Sequence, residues 1–349
     1  MLKYFSSATP KTANTGGSKL IIDMQRTIEK FLDNRKIPYK EYSYRNLRNV
    51  LHLVWPTPHA SYLIFGYIGS PYFSAPLVIL YFLLFCFVAL KKRVAKERFY
   101  VIIVDLIEWQ SVIWPNKKDY KFRFYRIFQC SLERLLVSHI ADEVVSAIDY
   151  EFVEKNYKVE KVHDLEFVDY YVSSDSNPTQ TSKLNILYAG DLGRSFDVQL
   201  LVDILGKLNP EYSLLVAGYG LKESLRRQLE RYENFSFLGQ LETSKLDEIA
   251  RKCQFGLMVY PPDYLYYNLI PTTKLSFYIA NGLTVISTNL KRMTLLNCKY
   301  SFGYALEKEE LLRMISDLSD KKIRVNKKLQ KRIATGDMLY SILTKLELS

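Results

Sequence analysis

Short apolar runs alternate with amphipathic helical repeats over residues 183–288. The pattern predicts strands at 184–189, 213–217, 235–238, 255–260 and 283–287, with helices at 198–208, 221–232, 244–252 and 272–280 between them. Strands that alternate with helices form a parallel sheet with crossover helices. We therefore expect an α/β domain whose ligands lie at the carboxyl ends of its strands.

The first half of the chain repeats this alternation. Strands are predicted at 2–6, 39–44, 62–68, 99–105 and 143–147, and amphipathic helices follow the first strand up to about residue 32 and cover 121–137. Between the halves, residues 171–182 are rich in Ser, Asn, Thr and Pro, as linkers are. We expect three parts, with bounds at 1–172, 183–333 and 334–349.

The second half also carries a family resemblance. Gly239 after a short strand, the apolar run 255–260, the segment 271–275 (PTTKL) and the segment 278–286 (YIANGLTVI) follow in order. They resemble the donor domain of GT-B glycosyltransferases, in particular the P-x-K-L-x-x-Y-x-A-x-G-x-x-V-I pattern of family 4-like bacterial polysaccharide enzymes. The resemblance implies two Rossmann-like domains that face a central cleft, with a last helix that crosses back to the first domain.

Lys274 and Arg194 are the best candidates for the donor phosphates, and both enter the predicted catalytic set. Lys274 stands in the first turn of a helix behind Pro271, where the N–H groups and the helix dipole favour an anion. Arg194 follows the glycine turn of a strand and offers a planar fork for phosphate oxygens. The alternatives are a solvated lysine and an arginine paired with Asp191 or Asp197.

Further donor contacts are expected around these two residues. In the resembling enzymes the segment after Gly239 lies beside the base, which implicates Gln240 and Leu241 through their backbone. The remaining donor-site candidates close strands or flank the lysine: Gly190, Gly218, Thr273 and Leu275. Gly239 has the alternative of a simple turn residue.

Ribose recognition departs from the family pattern. Many relatives carry a glutamate after the lysine that hydrogen-bonds the ribose, whereas residues 276–278 read Ser-Phe-Tyr here. We expect Asp263, Tyr267 or Asn268, on the loop before the helix, to take this role. An aromatic loop packed for stability is the alternative.

A glycine pair opens the first helix. Gly16 and Gly17 follow the strand at 2–6 and precede a helix, which together form an anion-friendly loop. In GT-B enzymes the equivalent loop faces the donor phosphates, so both glycines join the donor-site candidates. The alternative is a flexible turn.

Two carboxylates follow the strand predicted at 99–105, where catalytic groups of such sheets gather. Asp105 and Glu108 are candidates for acceptor binding or for the general base of an inverting mechanism; a retaining enzyme would use the leaving phosphate instead. A structural role, such as capping a loop or pairing with Lys117 or Lys118, is the alternative.

An apolar segment distinguishes the first half. Residues 49–90 contain no charged side chain with histidine counted as neutral, residues 77–90 are continuously apolar, and Lys91, Lys92 and Arg93 follow. Because a span needs roughly twenty residues, we expect a buried or interfacial helix, with a single-pass anchor over 62–90 as the alternative.

The chain has 349 residues and a net charge of +11, which favours an anionic partner. Basic residues beside an apolar helix suit phospholipid, and no nucleic-acid-binding motif accompanies them. Surface charge without a partner stays open.

The spacing of the cysteines and the amino-terminal sequence indicate the cellular compartment of the protein. The four cysteines, at 86, 130, 253 and 298, are far apart, and no signal peptide is evident. We expect a cytoplasmic protein, peripheral to the inner membrane face.

No Asp-x-Asp motif occurs in a loop context, so we expect neither a metal nor another cofactor.

Taken together, these features predict a glycosyltransferase. It would transfer a hexose or N-acetylhexosamine from a nucleotide diphosphate sugar, with a UDP-sugar expected, to a lipid-linked or cell-surface glycan precursor. A nucleotide-sugar epimerase and a non-catalytic partner of another transferase are the alternatives. A homo- or hetero-oligomer stays open.

Overall fold

Two parallel sheets of six strands each organise the chain. The computed structural model describes residues 1–6, 16–43, 46–55, 57, 59–65, 75–104, 120–172, 184–192, 197–318, 325–346 and 348. Helices connect successive strands, as parallel pairing requires. The predicted α/β class is confirmed.

The first sheet has the order β2-β1-β3-β4-β5-β6. Its strands are β1 (Leu2–Ser6), β2 (Tyr39–Ser43), β3 (Ser61–Phe65), β4 (Arg98–Ile103), β5 (Glu143–Ser146) and β6 (Val162–Asp164). The first five lie at predicted positions, while β6 was not predicted because three residues give no readable alternation. The direction of winding reverses at β1, and such a reversal creates a crevice at the carboxyl ends of the strands.

Within the described ranges, five helices accompany this sheet: α1 (Gly16–Asn34), α2 (Leu47–Val54), α3 (Ala75–Ala95), α4 (Tyr120–Leu135) and α5 (Tyr150–Tyr157). A π-helical turn, Leu136–Ile140, extends α4. Helix α3 joins β3 to β4, packs against α2 and α4, and buries Tyr81, Phe85 and Val88. It is therefore the crossover helix of a βα unit. In the part of the chain that the structure describes, no helix is long and apolar enough to cross a membrane.

The second sheet has the order β12-β11-β10-β7-β8-β9. Its strands are β7 (Leu184–Asp191), β8 (Tyr212–Tyr219), β9 (Phe235–Gly239), β10 (Phe255–Met258), β11 (Thr284–Thr288) and β12 (Gly303–Leu306). Counted from β7, this is the Rossmann order 3-2-1-4-5-6 in reverse, so the topological switch point lies between β7 and β10. The five strands predicted in this half are all present.

Nine helices belong to the described residues of this half and the end of the chain: α6 (Val198–Lys207), α7 (Glu223–Leu229), α8 (Thr243–Ala250), α9 (Leu265–Leu269), α10 (Thr273–Ala280), α11 (Lys291–Tyr300), α12 (Lys308–Ser316), α13 (Lys327–Thr335) and α14 (Asp337–Leu343). Side-chain caps start two of them, α6 and α13. Asp197 accepts the Leu200 N–H at 2.9 Å to begin α6. Gly336 ends α13 in the left-handed conformation.

The chain forms two compact units. One comprises residues 1–13, 21–166 and 338–349, and the other comprises residues 14–20 and 167–337. The last helix thus belongs mainly to the unit of the first sheet. The four cysteines all fall within described ranges and form no disulfide.

Candidate functional site

The second sheet opens at its switch point. Strands β7 and β10 pair only at Phe255 with Ile186 and at Gly256 with Leu187. Beyond this, the Tyr278 hydroxyl accepts the N–H of Ala189 at 2.9 Å and donates to the carbonyl of Leu257 at 3.2 Å. A tyrosine side chain thus replaces the next strand-to-strand hydrogen bond and holds the two strands apart.

Gly256 makes room for this tyrosine. A Cβ at position 256 would lie 2.6 and 2.7 Å from the two Cδ atoms of the Tyr278 ring, far inside van der Waals contact. Tyr278 itself is fully buried. The missing side chain of Gly256 thus lets the Tyr278 ring lie against β10 while its hydroxyl bonds to both strands.

Lys274 extends from α10 toward the carboxyl ends of β7 and β10. Its Nζ donates to the Tyr188 hydroxyl at 2.7 Å and lies 4.2 Å from the centre of the Tyr188 ring and 5.0 Å from that of Tyr260. The Tyr188 hydroxyl in turn donates to the carbonyl of Asp191 at 2.9 Å. Two ring faces, which attract cations, thus hold the amine at the end of β7.

Burial changes the acid–base behaviour of this group. It lowers the pKa of Lys274 to about 7, and the Asp191 charge opposes the shift. It raises the pKa of the Tyr188 and Tyr260 hydroxyls, so both stay protonated. An amine poised near neutrality gains charge when an anion comes beside it, because a nearby negative charge favours the protonated form.

Two glycines line the site from the strand side. Gly190 has φ +137°, and a Cβ there would lie 2.8 Å from the Lys274 Nζ and closer still to its Cε. Gly218 pairs with Gly190 across β7 and β8, has φ +153°, and would bring a Cβ within 2.8 Å of the Gly190 carbonyl carbon. Both positions need glycine, because a side chain would displace the lysine or the backbone beneath it.

The start of α10 adds backbone donors. The first N–H groups of a helix lack partners within it, and the Thr272 side chain does not cap this one. Thr273 and Lys274 open the helix, while the Leu275 N–H donates to the Thr272 carbonyl at 2.9 Å and the Leu275 side chain is buried. Lys274 thus provides both an ammonium group and a position at a helix N-terminus.

The segment between β10 and α10, which includes the short helix α9, is held by rings and one amide. Tyr267 stacks on Tyr260 with centroids 4.5 Å apart. Asn268 donates to the carbonyls of Pro262 and Tyr264 at 2.6 and 3.3 Å, and its Oδ1 accepts the N–H of Lys291 at 2.8 Å. Its amide thus fixes the loop to the start of α11.

Among the three ribose candidates, only the side chain of Asp263 is exposed, because Asn268 is engaged locally and Tyr267 is buried in the ring stack. The structure therefore brings together Lys274, Gly190 and Gly218, with Tyr267 stacked on a ring beside the lysine.

Gly239, Gln240 and Leu241 lie at the carboxyl end of β9, which β8 separates from β7. Gly16 and Gly17 begin α1 and are counted with the unit of the second sheet. Three candidates, Arg194, Asp105 and Glu108, lie outside the described residues.

Sequence reasoning missed the supporting residues Tyr188, Tyr260 and Gly256. One signal was available for Tyr188 and Tyr260: both stand within three residues of the end of a strand next to the switch point. The described ranges contain no cluster of three or more His, Cys, Asp or Glu side chains placed to hold a metal ion.

Comparison with known proteins places the fold. No family model matches the chain, and no curated protein matches it in sequence. HepE of Anabaena, solved with UDP and glucose, is a structural neighbour with a TM-score of 0.56 and 13% identity; the match covers 99% of this chain and 100% of that one.

The apo form of the lipopolysaccharide outer core galactosyltransferase WaaB has a TM-score of 0.58 and 11% identity, with 99% of both chains covered. Sucrose-phosphate synthase from Thermosynechococcus elongatus has a TM-score of 0.56 and 11% identity over the same shares. The matches extend over the whole chain and include both sheets, so the chain has the GT-B fold that its sequence predicted.

Proposed function

We propose that the protein is a glycosyltransferase that takes a hexose or N-acetylhexosamine from a nucleotide diphosphate sugar, a UDP-sugar in our proposal. The observation that carries this proposal is the Lys274 amine held over Gly190 at the switch point of a Rossmann-type sheet. Neighbours of the same fold support it, since HepE was solved with UDP and glucose and WaaB is a galactosyltransferase.

The chemistry follows from the leaving group. When the bond between the anomeric carbon and the diphosphate breaks, its electron pair stays on the diphosphate oxygen, and the acceptor hydroxyl oxygen forms the new bond to that carbon. Lys274 and the N-terminal N–H groups of α10 would stabilise the developing negative charge. We assign Arg194 the same task and Gly16 and Gly17 a backbone contact to the phosphates.

The nucleoside end of the donor needs its own contacts. We assign the base to the backbone of Gly239, Gln240 and Leu241, and the ribose hydroxyls to Asp263, because its carboxylate is exposed on the loop before α10.

No metal ion enters this scheme. Asp105 or Glu108 would accept the acceptor proton in an inverting reaction, and the leaving phosphate would do so in a retaining one.

The acceptor in this proposal is a lipid-linked or cell-surface glycan precursor, and the enzyme would work as a peripheral protein at the inner membrane face. The exposed apolar side chains of α3 support this, since a transferase that acts on a lipid-linked acceptor has to meet the bilayer.

A nucleotide panel tests the donor site. A ligand that binds only the native state raises the melting temperature by mass action, so UDP and UDP-sugars should stabilise the protein. The Lys274→Met variant, which keeps an unbranched side chain of nearly the same length without the amine, should lose this response. Lys245→Ala removes an exposed lysine from α8 and should keep it.

One observation favours a second candidate, a non-catalytic partner of another transferase. After Lys274, the helix continues with Ser276, Phe277 and Tyr278, which are all buried. None of them is a carboxylate, whereas resembling enzymes carry a glutamate in this region that binds the ribose. A protein of this kind would show no stabilisation by any nucleotide. An epimerase would instead convert the free nucleotide sugar without an acceptor.

A further inference from the structure

We propose that the outer face of the helix layer α2-α3-α4 docks on an anionic lipid surface. This inference rests on the proposed function, and it names the surface and its partner. Five large apolar side chains form a stripe on α3: Leu80, Leu83, Phe87, Leu90 and Val94, which are 37, 59, 50, 64 and 85% exposed.

Their spacing makes the stripe continuous. The five positions follow one another at steps of three, four, three and four residues, which places them on one side of a helix. The opposite side holds Tyr81, Phe85 and Val88, all at most 1% exposed. Helix α3 is therefore apolar on both sides, and among the residues that the structure describes only one of these sides is buried against its own unit. A helix that is apolar all round is normally buried.

The neighbouring helices widen this surface. Helix α2 contacts α3 through Lys91, whose Nζ donates to the Leu53 carbonyl at 2.7 Å, and α4 contacts it through Phe82 and Phe128, with centroids 5.9 Å apart. Because the chain advances in one direction from β2 through β5, right-handed crossovers put α2, α3 and α4 on the same side of the sheet.

Both neighbours expose further apolar side chains. Trp55, next to α2, is 76% exposed, and Ile127 on α4 is 62% exposed. Tryptophan is favoured at the membrane interface, where its ring meets both apolar and polar surroundings. The apolar surface thus spans three helices and is broader than the narrow seam of a helix pair.

The charge around this apolar face favours an anionic lipid surface over a second copy of the chain as its partner. Residues 45–134 carry thirteen Lys and Arg against five Asp and Glu, and two of these, Lys91 and Glu97, form a buried ion pair, while Lys92 pairs with Asp142. Exposed Arg48 lies one turn before Leu51 on α2, and exposed Lys96 follows the end of α3. A two-fold dimer through this face would bring the same basic surroundings together, whereas anionic headgroups complement them.

Vesicle flotation tests the proposal. The wild-type protein should float with vesicles of phosphatidylcholine that contain about one third phosphatidylglycerol, and less at roughly 0.5 M than at 0.1 M salt. The double variant Leu83→Gln/Phe87→Gln should bind about tenfold more weakly or worse, because both side chains would lose their apolar contact with the bilayer. Arg48→Gln should weaken binding about fivefold.

Leu295→Gln is the matched control, since Leu295 is 52% exposed on α11 in the other unit. It should leave flotation unchanged. Equal flotation of the double variant and wild type, no flotation at all, or equal binding to pure phosphatidylcholine would overturn the proposal. So would a dimer in analytical ultracentrifugation that Leu83→Gln/Phe87→Gln dissociates.

The nucleotide response separates this test from that of the proposed function. The double variant should keep the melting-temperature rise with UDP, because the substituted residues lie in the other unit from Lys274. Loss of flotation with that rise intact is the expected result. Flotation without any response to nucleotides would contradict the proposed function but support the proposed lipid-binding surface.

Discussion

The Lys274 amine occupies the space that a side chain at position 190 would fill. A Cβ on Gly190 would lie 2.8 Å from the Lys274 Nζ. The two residues come from β7 and from the first turn of α10, far apart in sequence, and they meet at the point where the sheet reverses its winding. The glycine therefore sets the position of the charge that we assign to the donor diphosphate.

Gly190→Ala should abolish most nucleotide binding. The new methyl group would displace the end of Lys274, and φ +137° would strain an alanine by about 1–3 kcal/mol. Isothermal titration with UDP should show a loss of affinity close to that of Lys274→Met. Gly206→Ala is the control, since nothing lies within 4 Å of its Cβ position on α6. It should bind UDP normally and unfold at slightly higher denaturant, because alanine favours a helix.

Binding of UDP-glucose should weaken as the pH rises above neutrality. Burial lowers the pKa of Lys274 to about 7, so at higher pH the free amine is neutral and must take up a proton when the diphosphate binds. Affinity should fall by up to about tenfold for each pH unit above 7. UDP-glucose is suitable because its diphosphate does not titrate in this range. A flat profile from pH 7 to 9, or an equal slope in Lys274→Met, would contradict this assignment.

Tyr278→Phe should destabilise the second unit. Without the hydroxyl, the Ala189 N–H and the Leu257 carbonyl lose a buried partner, at a cost of about 1–3 kcal/mol in the free energy of unfolding. Urea unfolding measures this cost, and hydrogen exchange at the Ala189 amide should speed up. Tyr232→Phe is the comparison, since Tyr232 is only partly buried at the edge of a core cluster of the same unit, and it should change stability by less. Equal effects of the two substitutions would show that Tyr278 does not hold the strands.

Asp263→Asn should reduce affinity for UDP and leave affinity for 2′,3′-dideoxy-UDP unchanged. A hydrogen bond from a ribose hydroxyl to a carboxylate contributes about 1.5–3 kcal/mol, and the dideoxy nucleotide cannot form it. Competition titrations with both nucleotides measure the difference. If both lose affinity equally, Asp263 acts on the loop rather than on the ribose.

The order of strands and helices was predictable because the spacing of apolar residues that marks a strand or a helix is a local property of the sequence. Strands β7 to β11 and the helix that starts near Lys274 follow from apolar spacing, Pro271 and the glycines. The short strands β6 and β12 and the five-residue helix α9 were not predicted, since none of them is long enough to show a period.

The partners of Lys274 could not be predicted in the same way. Its contact with Tyr188 joins residues 86 positions apart, and no spacing rule links them. Asn268 illustrates the opposite case: we expected its amide to bind a ligand, but in α9 it bonds to the backbone of Pro262 and Lys291 instead. The sequence indicated which residues lie near the cleft, but the hydrogen-bond partner of each polar atom depends on tertiary packing.

Calorimetric titration of UDP-glucose into wild type, Lys274→Met and Lys245→Ala at pH 8 tests the central claim most directly. We predict binding by wild type and Lys245→Ala with uptake of a proton, visible as a dependence of the heat on the buffer, and at least about tenfold weaker binding without proton uptake in Lys274→Met. Equal affinity and equal proton uptake in all three proteins would contradict the assignment of Lys274 to the donor diphosphate.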